Sequence, residues 1–194
     1  MDERFKPAFE MELDAMRSVK YDYGLDNLQL MVPFCRTPEE GSLVTGLLNE
    51  KGVGPASGTD LFVMVELPSN VIEADRFIEM MDLSGGSIGS NDLVQTVYAV
   101  SRDDLEGYQN PIDARSPSVK AMIRDIVGKF NSKGMEIGIC GQAPSDFPDE
   151  FPAFLVDCGI TSISVTPDTA VAVRGTVAEA EKRLESSTTE IEAL

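Results

Sequence analysis

The sequence predicts an α/β fold in which about five parallel β-strands are covered by helices. Short apolar stretches alternate along the chain with longer stretches whose apolar residues recur at helical spacing. The short stretches are apolar throughout, and such runs are typical of parallel strands that are covered on both faces. We therefore expect repeated strand–helix units in a single domain of 194 residues.

Five strands are expected, each ended by a proline, a glycine or a polar residue that interrupts strand pairing. In chain order they lie at residues 28–34, 61–66, 86–89, 135–140 and 161–165. Strands of this kind form either an open doubly wound sheet or part of an eight-stranded barrel, which normally takes about 250 residues. The apolar pattern alone is compatible with both arrangements.

Helices are expected between the strands. The clearest start is Thr37, a capping residue followed by Pro38 at the first helical position and by two acidic residues in the first turn. The expected helices lie at residues 5–21, 38–50, 68–81, 93–100, 117–131, 148–157 and 168–184. The expected loops lie at residues 51–59, 101–116 and 141–146. Residues 1–185 then form one domain, and residues 186–194 form a polar tail that is expected to fray.

The composition excludes several classes of function. Acidic residues outnumber basic ones by 33 to 16, and the net charge of −17 speaks against nucleic acid as a partner. No apolar run is long enough to span a membrane, the N-terminal residues lack the features of a signal peptide, and the three cysteines show no paired spacing. We therefore expect a cytoplasmic protein. The chain contains no histidine, so any imidazole or phosphohistidine chemistry has to be supplied from outside it.

Polar side chains follow three consecutive strands of the expected sheet. Glu66 ends the second strand, Ser90-Asn91-Asp92 follows the third, and Cys140 ends the fourth. Neighbouring parallel strands deliver such ends to one edge of the sheet, where two carboxylates form a plausible Mg²⁺ site. Each residue also has an ordinary alternative. Asp92 fits a helix N-cap, Glu66 a solvated acid at a strand end, and Cys140 a small buried hydrophobe, the role that we expect for Cys35 and Cys158.

Five ordered motifs carry a resemblance to a known family. They are LMVPFCRT at residues 30–37, MVELPSN at 64–70, SIGSNDLVQ at 87–95, GICGQAPSD at 138–146 and SISVTPD at 162–168. Together they resemble the C-terminal barrel of phosphoenolpyruvate (PEP) synthases, in the PEP-utilising family that includes pyruvate phosphate dikinase and enzyme I of the sugar phosphotransferase system. The resemblance covers nearly the whole chain except its acidic end, and it implies part of a (β/α)8 TIM-type barrel.

The resemblance also implies a chemistry. It implies that the barrel binds pyruvate or PEP with Mg²⁺, and that a phosphohistidine on a mobile domain exchanges its phosphoryl group with this substrate. Glu66 and Asp92 would bind the metal, and Asn91 would contact the substrate. The backbone groups of Ser90 and Gly89 would line the same binding site. Cys140 would deliver a proton to the enolate carbon. Gln142 matches the synthase form of its motif.

The sequence departs from the family pattern in several regions, including residues 99–104. The family's first three barrel strands, which carry substrate-binding arginines, have no counterpart here, and Arg36 is better explained as a surface residue at a helix entry. Gly85-Gly86 stands where the family usually has an aromatic residue near the strand start. Open strand edges then predict association with a second copy or with a partner that supplies the other strands.

Three functions are compatible with these observations. The first is the C-terminal part of a PEP synthase-like phosphotransferase that is inactive in isolation. The second is a non-catalytic partial barrel that serves binding or assembly. The third is a small Mg²⁺-dependent lyase that acts on a keto acid, which the missing arginines disfavour.

Overall fold

The protein contains one sheet of five parallel strands. A computed structural model describes residues 4–101 and 112–192. The strands are β1 (Gln29–Val32), β2 (Asp60–Val65), β3 (Gly85–Gly89), β4 (Glu136–Cys140) and β5 (Ser162–Ile163). They pair in chain order, β1-β2-β3-β4-β5, and every pair is parallel. A doubly wound sheet reverses its strand order, whereas a barrel does not. The structure therefore confirms an α/β fold that forms part of a (β/α)8-type barrel.

The helices agree with the sequence at most of their starts. In the described residues they are α1 (Lys6–Tyr21), α2 (Pro38–Glu50), α3 (Pro68–Ile72), α4 (Ala74–Met81), α5 (Ser90–Tyr98), α6 (Pro117–Ser132), α7 (Ala143–Asp146), α8 (Phe151–Cys158) and α9 (Ala170–Glu192). Thr37 caps α2 as predicted, since its hydroxyl oxygen accepts a hydrogen bond of 3.2 Å from the Glu40 N–H. No helix in these two stretches is both long and apolar enough to cross a membrane.

Four stretches differ from expectation. The expected helix at residues 68–81 is divided at Glu73, whose backbone (φ −101°, ψ 22°) leaves the helical region. Two expected loops contain short helical turns, one at Pro55–Ser57 and one in α7. The last helix continues to Glu192, because residues 185–192 contain neither glycine nor proline to stop it. Residues 102–111, most of the longest expected loop, lie outside the described residues.

The two faces of the sheet differ in burial. Side chains on one face pack beneath helices, and they include Leu30, Leu61, Val63, Val65, Ile88, Ile137 and Ile139. The opposite face carries Met31, Phe62 and Met64, which are half-buried or exposed, and small residues such as Ser87 and Gly138. The expectation that both faces are covered is therefore wrong for the described residues. Apolar side chains occupy both faces of β2, but helices cover only one of them.

The glycine pair at the start of β3 lets aromatic rings approach the sheet. A Cβ atom on Gly85 would lie 2.5 Å from the Phe62 ring and 2.7 Å from the Glu136 carbonyl oxygen. A Cβ atom on Gly86 would lie 3.1 Å from both Phe130 and Ile137. Phe62 and Phe130 thus pack their aromatic rings against the two glycines.

Glycine-to-alanine substitutions test this packing. We expect Gly85→Ala to lower the free energy of unfolding by about 1–3 kcal/mol, because the Glu136 backbone cannot move away from the new methyl group. Gly46 lies inside α2, and a Cβ atom there would meet nothing within 4 Å beyond its own helix, so Gly46→Ala is the matched control. It should raise that free energy by about 0.5–1 kcal/mol. Urea unfolding followed by circular dichroism measures both, and equal effects of the two substitutions would contradict the packing explanation.

Candidate active site at the carboxyl rim of the sheet

The carboxyl rim, formed by residues 33–36, 66–67, 89–92 and 140–142, brings the predicted site residues together. In the strand register, Val65 lies opposite Ile88 and Gly89 lies opposite Cys140. Glu66 therefore follows β2 beside Gly89, and Cys140 stands on the other side of the same glycine. Because adjacent strands are about 4.8 Å apart, the Glu66 and Cys140 backbones are separated by roughly 10 Å.

Gly89 keeps the space between these two residues open. A Cβ atom on Gly89 would lie 3.0 Å from Glu66 Oε2 and 3.3 Å from Met64 Cγ, tighter than ordinary van der Waals contact. The Cys140 thiol reaches across β3 to the Met64 thioether, with 3.6 Å between the sulfur atoms. Because β3 contributes only Ser87 and Gly89 to this part of the face, no large β3 side chain stands in the gap between the Glu66 carboxylate and the Cys140 thiol, which the Met64 side chain crosses.

Glu66 is buried, with 3% of its surface exposed. The backbone N–H of Phe34 donates a hydrogen bond of 2.6 Å to its Oε1 atom. Burial raises the pKa of Glu66, the Phe34 N–H opposes that shift, and the negative charge of Asp92 adds to it. The ion pairs within the described residues give Glu66 no lysine or arginine partner. The alternative of a solvated acid at a strand end is therefore wrong.

Asp92 lies in the first turn of α5. The helix begins at Ser90, three residues earlier than expected, and its N-cap is Gly89, so the alternative of Asp92 as the N-cap is wrong. The Asp92 Oδ1 atom accepts a hydrogen bond of 3.1 Å from the Gln95 side chain. A carboxylate in the first turn of a helix interacts favourably with the helix dipole.

Ser90 and Asn91 connect α5 to the loop that follows β4. The buried Ser90 hydroxyl donates a hydrogen bond of 2.9 Å to the Cys140 carbonyl oxygen. The Gln142 N–H donates to Asn91 Oδ1 at 3.3 Å. Gly141 has φ +110°, and a Cβ atom there would overlap the Ser90 hydroxyl. The side-chain oxygen of Asn91 thus accepts a hydrogen bond within the rim, which leaves the Nδ2 group of the same side chain as the donor for a ligand.

The donor set at the rim fits a hard divalent cation that keeps water. The described residues hold no group of three or more cysteine, aspartate or glutamate side chains that could form a metal site on its own. Mg²⁺, however, usually takes one or two protein carboxylates, and its other ligands are water and substrate oxygens. Glu66 and Asp92 repel each other through their charges, and a cation between them would offset that repulsion.

A cavity of about 260 Å³ opens beside the rim, but it lies apart from the two residues that would do chemistry. Its lining includes Asn91 and Gln142, together with the carboxylates Asp113 and Asp146. Neither Glu66 nor Cys140 lines it. Two acidic side chains in its wall disfavour an anionic ligand, so the gap above Gly89 remains the better candidate.

The other sequence candidates take ordinary roles. Cys35 is buried, and burial raises its pKa to about 11, so it is an unreactive thiol, as predicted. Cys158 is half-buried against the core, and burial also raises its pKa. As predicted, Arg36 lies on the surface at the entry to α2, where it forms a 3.1 Å ion pair with Glu40.

Two residues at the rim were not expected from the sequence. Phe34 supplies the N–H that binds Glu66, and it has a left-handed backbone with φ +49°. Asn70 is 2% exposed, and its side chain bonds to the loops that follow both β1 and β2. A polar residue in the first turn of α3 is the only sequence signal for Asn70. Nothing in the sequence indicates the role of Phe34, because a phenylalanine is not expected to adopt a backbone conformation with positive φ.

The chain matches one family over most of its length. The family described as "PEP-utilising enzyme, PEP-binding domain" matches residues 1–182. Phosphoenolpyruvate synthase of Aquifex aeolicus is 45% identical over 181 residues, which make up 93% of this chain and 21% of the relative. The synthase of Synechocystis is 43% identical, over 94% of this chain and 22% of the relative. The synthase of Escherichia coli is 36% identical, over 94% of this chain and 23% of the relative.

The chain thus spans about a fifth of the length of these curated relatives. Two solved structures share the fold at low sequence identity. A citrate lyase from Burkholderia xenovorans is 16% identical with a TM-score of 0.57, over 85% of this chain and 53% of that chain. RipC from Yersinia pestis is 10% identical with a TM-score of 0.59, over 86% of this chain and 69% of that chain.

The raised pKa of Glu66 makes stability depend on pH. Above the ordinary pKa of 4.5 the unfolded chain loses a proton that the folded chain still holds, so the free energy of unfolding falls as the pH rises through this window. Glu66→Gln removes that dependence and keeps an acceptor for the Phe34 N–H. In metal-free buffer we expect the variant to be more stable than wild type at pH 7, with a difference that shrinks as the pH falls towards 4.5.

Urea unfolding of wild type and Glu66→Gln across this pH range measures the effect. The matched control is Glu136→Gln, at the exposed opposite end of β4, which should show no comparable change with pH. A stability difference for Glu66→Gln that stays constant with pH would contradict the assignment of a raised pKa.

Proposed function

Because the chain belongs to the PEP-utilising enzyme family, as its PEP-binding domain, we propose that the carboxyl rim binds pyruvate or PEP together with Mg²⁺. In this proposal the chain is the C-terminal, substrate-binding part of a PEP synthase-like phosphotransferase. The observation that carries the proposal is the position of Glu66 and Cys140 on either side of Gly89, with Asn91 and Asp92 in the first turn of the helix that follows Gly89.

Each residue then has a defined role. Glu66 and Asp92 bind the metal, which would stabilise negative charge on the enolate oxygen of the substrate. The Nδ2 group of Asn91 donates a hydrogen bond to a substrate oxygen, because its Oδ1 atom already accepts the Gln142 N–H. The Cys140 thiol donates its proton to the methylene carbon of the enolate, which gives pyruvate and a thiolate. In the reverse direction, the thiolate removes a proton from the methyl group of pyruvate.

The phosphoryl group has to arrive from outside the chain. The sequence contains no histidine, so the phosphohistidine of the proposed reaction lies on another domain or another polypeptide. The purified chain should therefore bind substrate without carrying out the complete reaction. Robust ATP-dependent formation of PEP by the chain alone would contradict the proposal that another domain or polypeptide supplies the phosphoryl group.

A second function, a non-catalytic role in assembly, is favoured by the open edges of the sheet. At the β5 edge, a groove of about 720 Å³ is lined by apolar residues of α8, β5 and α9, among them Val156, Ile163 and Val177. At the β1 edge, Met31, Phe34 and Leu43 are 42–66% exposed. Association through these surfaces remains a prediction. An assembly role alone predicts no Mg²⁺ binding at the rim, so the experiment below separates the two functions.

Calorimetric titration with Mg²⁺, alone and with oxalate as an enolate mimic, tests the binding site. We expect binding that is tighter with oxalate, since oxalate supplies oxygen ligands that complete the metal's coordination. Glu66→Ala and Asp92→Ala should each weaken this binding by more than about tenfold, as expected for metal-site residues. Glu136→Ala, which removes an exposed acid from the opposite end of the sheet, should bind as wild type does. Absence of binding by wild type would favour the assembly function.

Exchange of the pyruvate methyl protons in D₂O tests Cys140. With Mg²⁺ present, we expect wild type to accelerate the loss of the methyl proton signal, because the sulfur removes a proton and returns a deuteron. Cys140→Ala should slow this exchange about 100-fold, the usual contribution of a general acid–base group. Cys158→Ala is the control, because Cys158 packs against the core beside α6. Equal exchange rates for Cys140→Ala and wild type would exclude the proton-transfer role.

A further inference from the structure

We infer that Asn70 is a positioning residue, which holds the loop after β1 so that its backbone fixes the orientation of the Glu66 carboxylate. This inference rests on the proposed function, in which Glu66 binds the metal. Asn70 lies in the first turn of α3, and its side chain is 2% exposed. The hydrogen bonds of its side chain go to the backbone groups of Glu66, Leu67 and Cys35, so it would act on the carboxylate through its neighbours.

The hydrogen bonds form a closed circuit between two neighbouring loops. Asn70 Oδ1 accepts from the Glu66 N–H at 3.2 Å, and Asn70 Nδ2 donates to the Cys35 carbonyl oxygen at 2.7 Å. Phe34, the residue before Cys35, donates its N–H to Glu66 Oε1 at 2.6 Å. The circuit runs from the Glu66 backbone through the Asn70 amide and the Phe34–Cys35 segment, and it returns to the Glu66 side chain.

A helix-capping role explains the use of the Asn70 Oδ1 atom but not that of its Nδ2 group. The Asn70 Oδ1 atom also accepts from the Leu67 N–H at 3.0 Å, which is the backward bond that a side chain in the first turn of a helix makes to its N-cap. A cap needs only this acceptor. The Nδ2 group is used differently, since it donates to Cys35, 35 residues earlier in the chain. That donor is what a purely local role leaves unexplained.

Phe34 needs such a restraint because its backbone is held in an unfavourable region. Its φ of +49° is uncommon for a residue with a large side chain. The side chain is 52% exposed, so packing of the ring contributes little to holding this conformation. The bond from Asn70 to the Cys35 carbonyl oxygen and the bond from the Phe34 N–H to Glu66 hold the backbone on both sides of this residue.

The circuit determines which carboxylate oxygen faces the gap. Thr96 donates its hydroxyl to the Glu66 carbonyl oxygen at 2.8 Å, so the Glu66 backbone is held at both its N–H and its C=O groups. With Oε1 occupied by Phe34, Oε2 is directed towards Gly89, 3.0 Å from where a Cβ atom would be. Outer partners of this kind orient metal-binding carboxylates and tune their affinity.

The experiment compares Asn70→Ala with Asn49→Ala, a matched amide deletion. Asn49 also joins separate segments, through a 3.0 Å bond from the Ala56 N–H to its Oδ1 atom, but it lies at the opposite end of the sheet. We expect Asn70→Ala to weaken Mg²⁺–oxalate binding about tenfold, the lower end of the effect of removing an outer partner. Asn49→Ala should bind as wild type does.

A second readout does not depend on metal binding. With ¹⁵N-phenylalanine labelling, the chain gives nine amide signals, and Phe34→Leu identifies that of Phe34. In wild type this amide proton should resonate downfield, because it donates a short bond to a carboxylate. Asn70→Ala should move it upfield, and Asn49→Ala should not. Asn70→Asp, which keeps the capping acceptor but loses the donor to Cys35, should move it as well, and this variant decides the matter if Asn70→Ala does not fold.

The outcomes separate this inference from the proposed function. If wild type binds Mg²⁺–oxalate and Asn70→Ala binds equally well, the positioning role is overturned and the proposed function stands. If wild type shows no binding, the proposed function is overturned. The Phe34 amide signal then tests by itself whether Asn70 holds the loop after β1. A Phe34 amide that is unchanged in both Asn70 variants would overturn the role of Asn70 in holding Glu66.

Discussion

The candidate site depends on the in-register parallel pairing of β2, β3 and β4, in which the middle strand contributes almost no side-chain volume. Met64 pairs with Ser87, and Gly89 pairs with Cys140, so residues of β2 and β4 face each other across small residues. A larger side chain at Gly89 would fill the gap and press on Glu66. The apolar core on the other face fixes the register, because slipping by one residue would expose Val63 and Ile88 to solvent.

The same arrangement creates an energetic conflict at Glu66. Burying a carboxylate without a cationic partner is unfavourable, and the negative charge of Asp92 makes it more so. The Phe34 N–H offsets part of this cost, and Asn70 and Thr96 keep the backbone in place. A sequence selected for stability alone would place an apolar residue at this position. On the proposed function, a bound divalent cation would offset this cost.

The elements that the sequence predicted well are those with local causes. The start of α2 follows from Thr37 and Pro38, and the strands follow from short apolar runs. The predictions failed where the cause is distant in sequence. Residues 90–92 look like a polar loop, yet Ser90 begins a helix and bonds to the Cys140 carbonyl oxygen, 50 residues away. The burial of Glu66 and the circuit through Asn70 depend on a loop more than 30 residues earlier, which no local pattern records.

The charge distribution explains why substrate and metal would have to bind together. The chain has a net charge of −17, and pyruvate and PEP are anions. Two of the arginines near the rim are already paired, Arg36 with Glu40 and Arg115 with Asp113, so neither is well placed to neutralise a substrate. On the proposed function, a divalent cation held by Glu66 and Asp92 converts a repulsive site into an attractive one. Linkage is reciprocal, so an anionic ligand must strengthen metal binding by the same factor as the metal strengthens binding of the anion. On the same proposal, the rim would select its substrate through the metal, and Asn91 and Cys140 would interact with one oxygen and one carbon of that substrate.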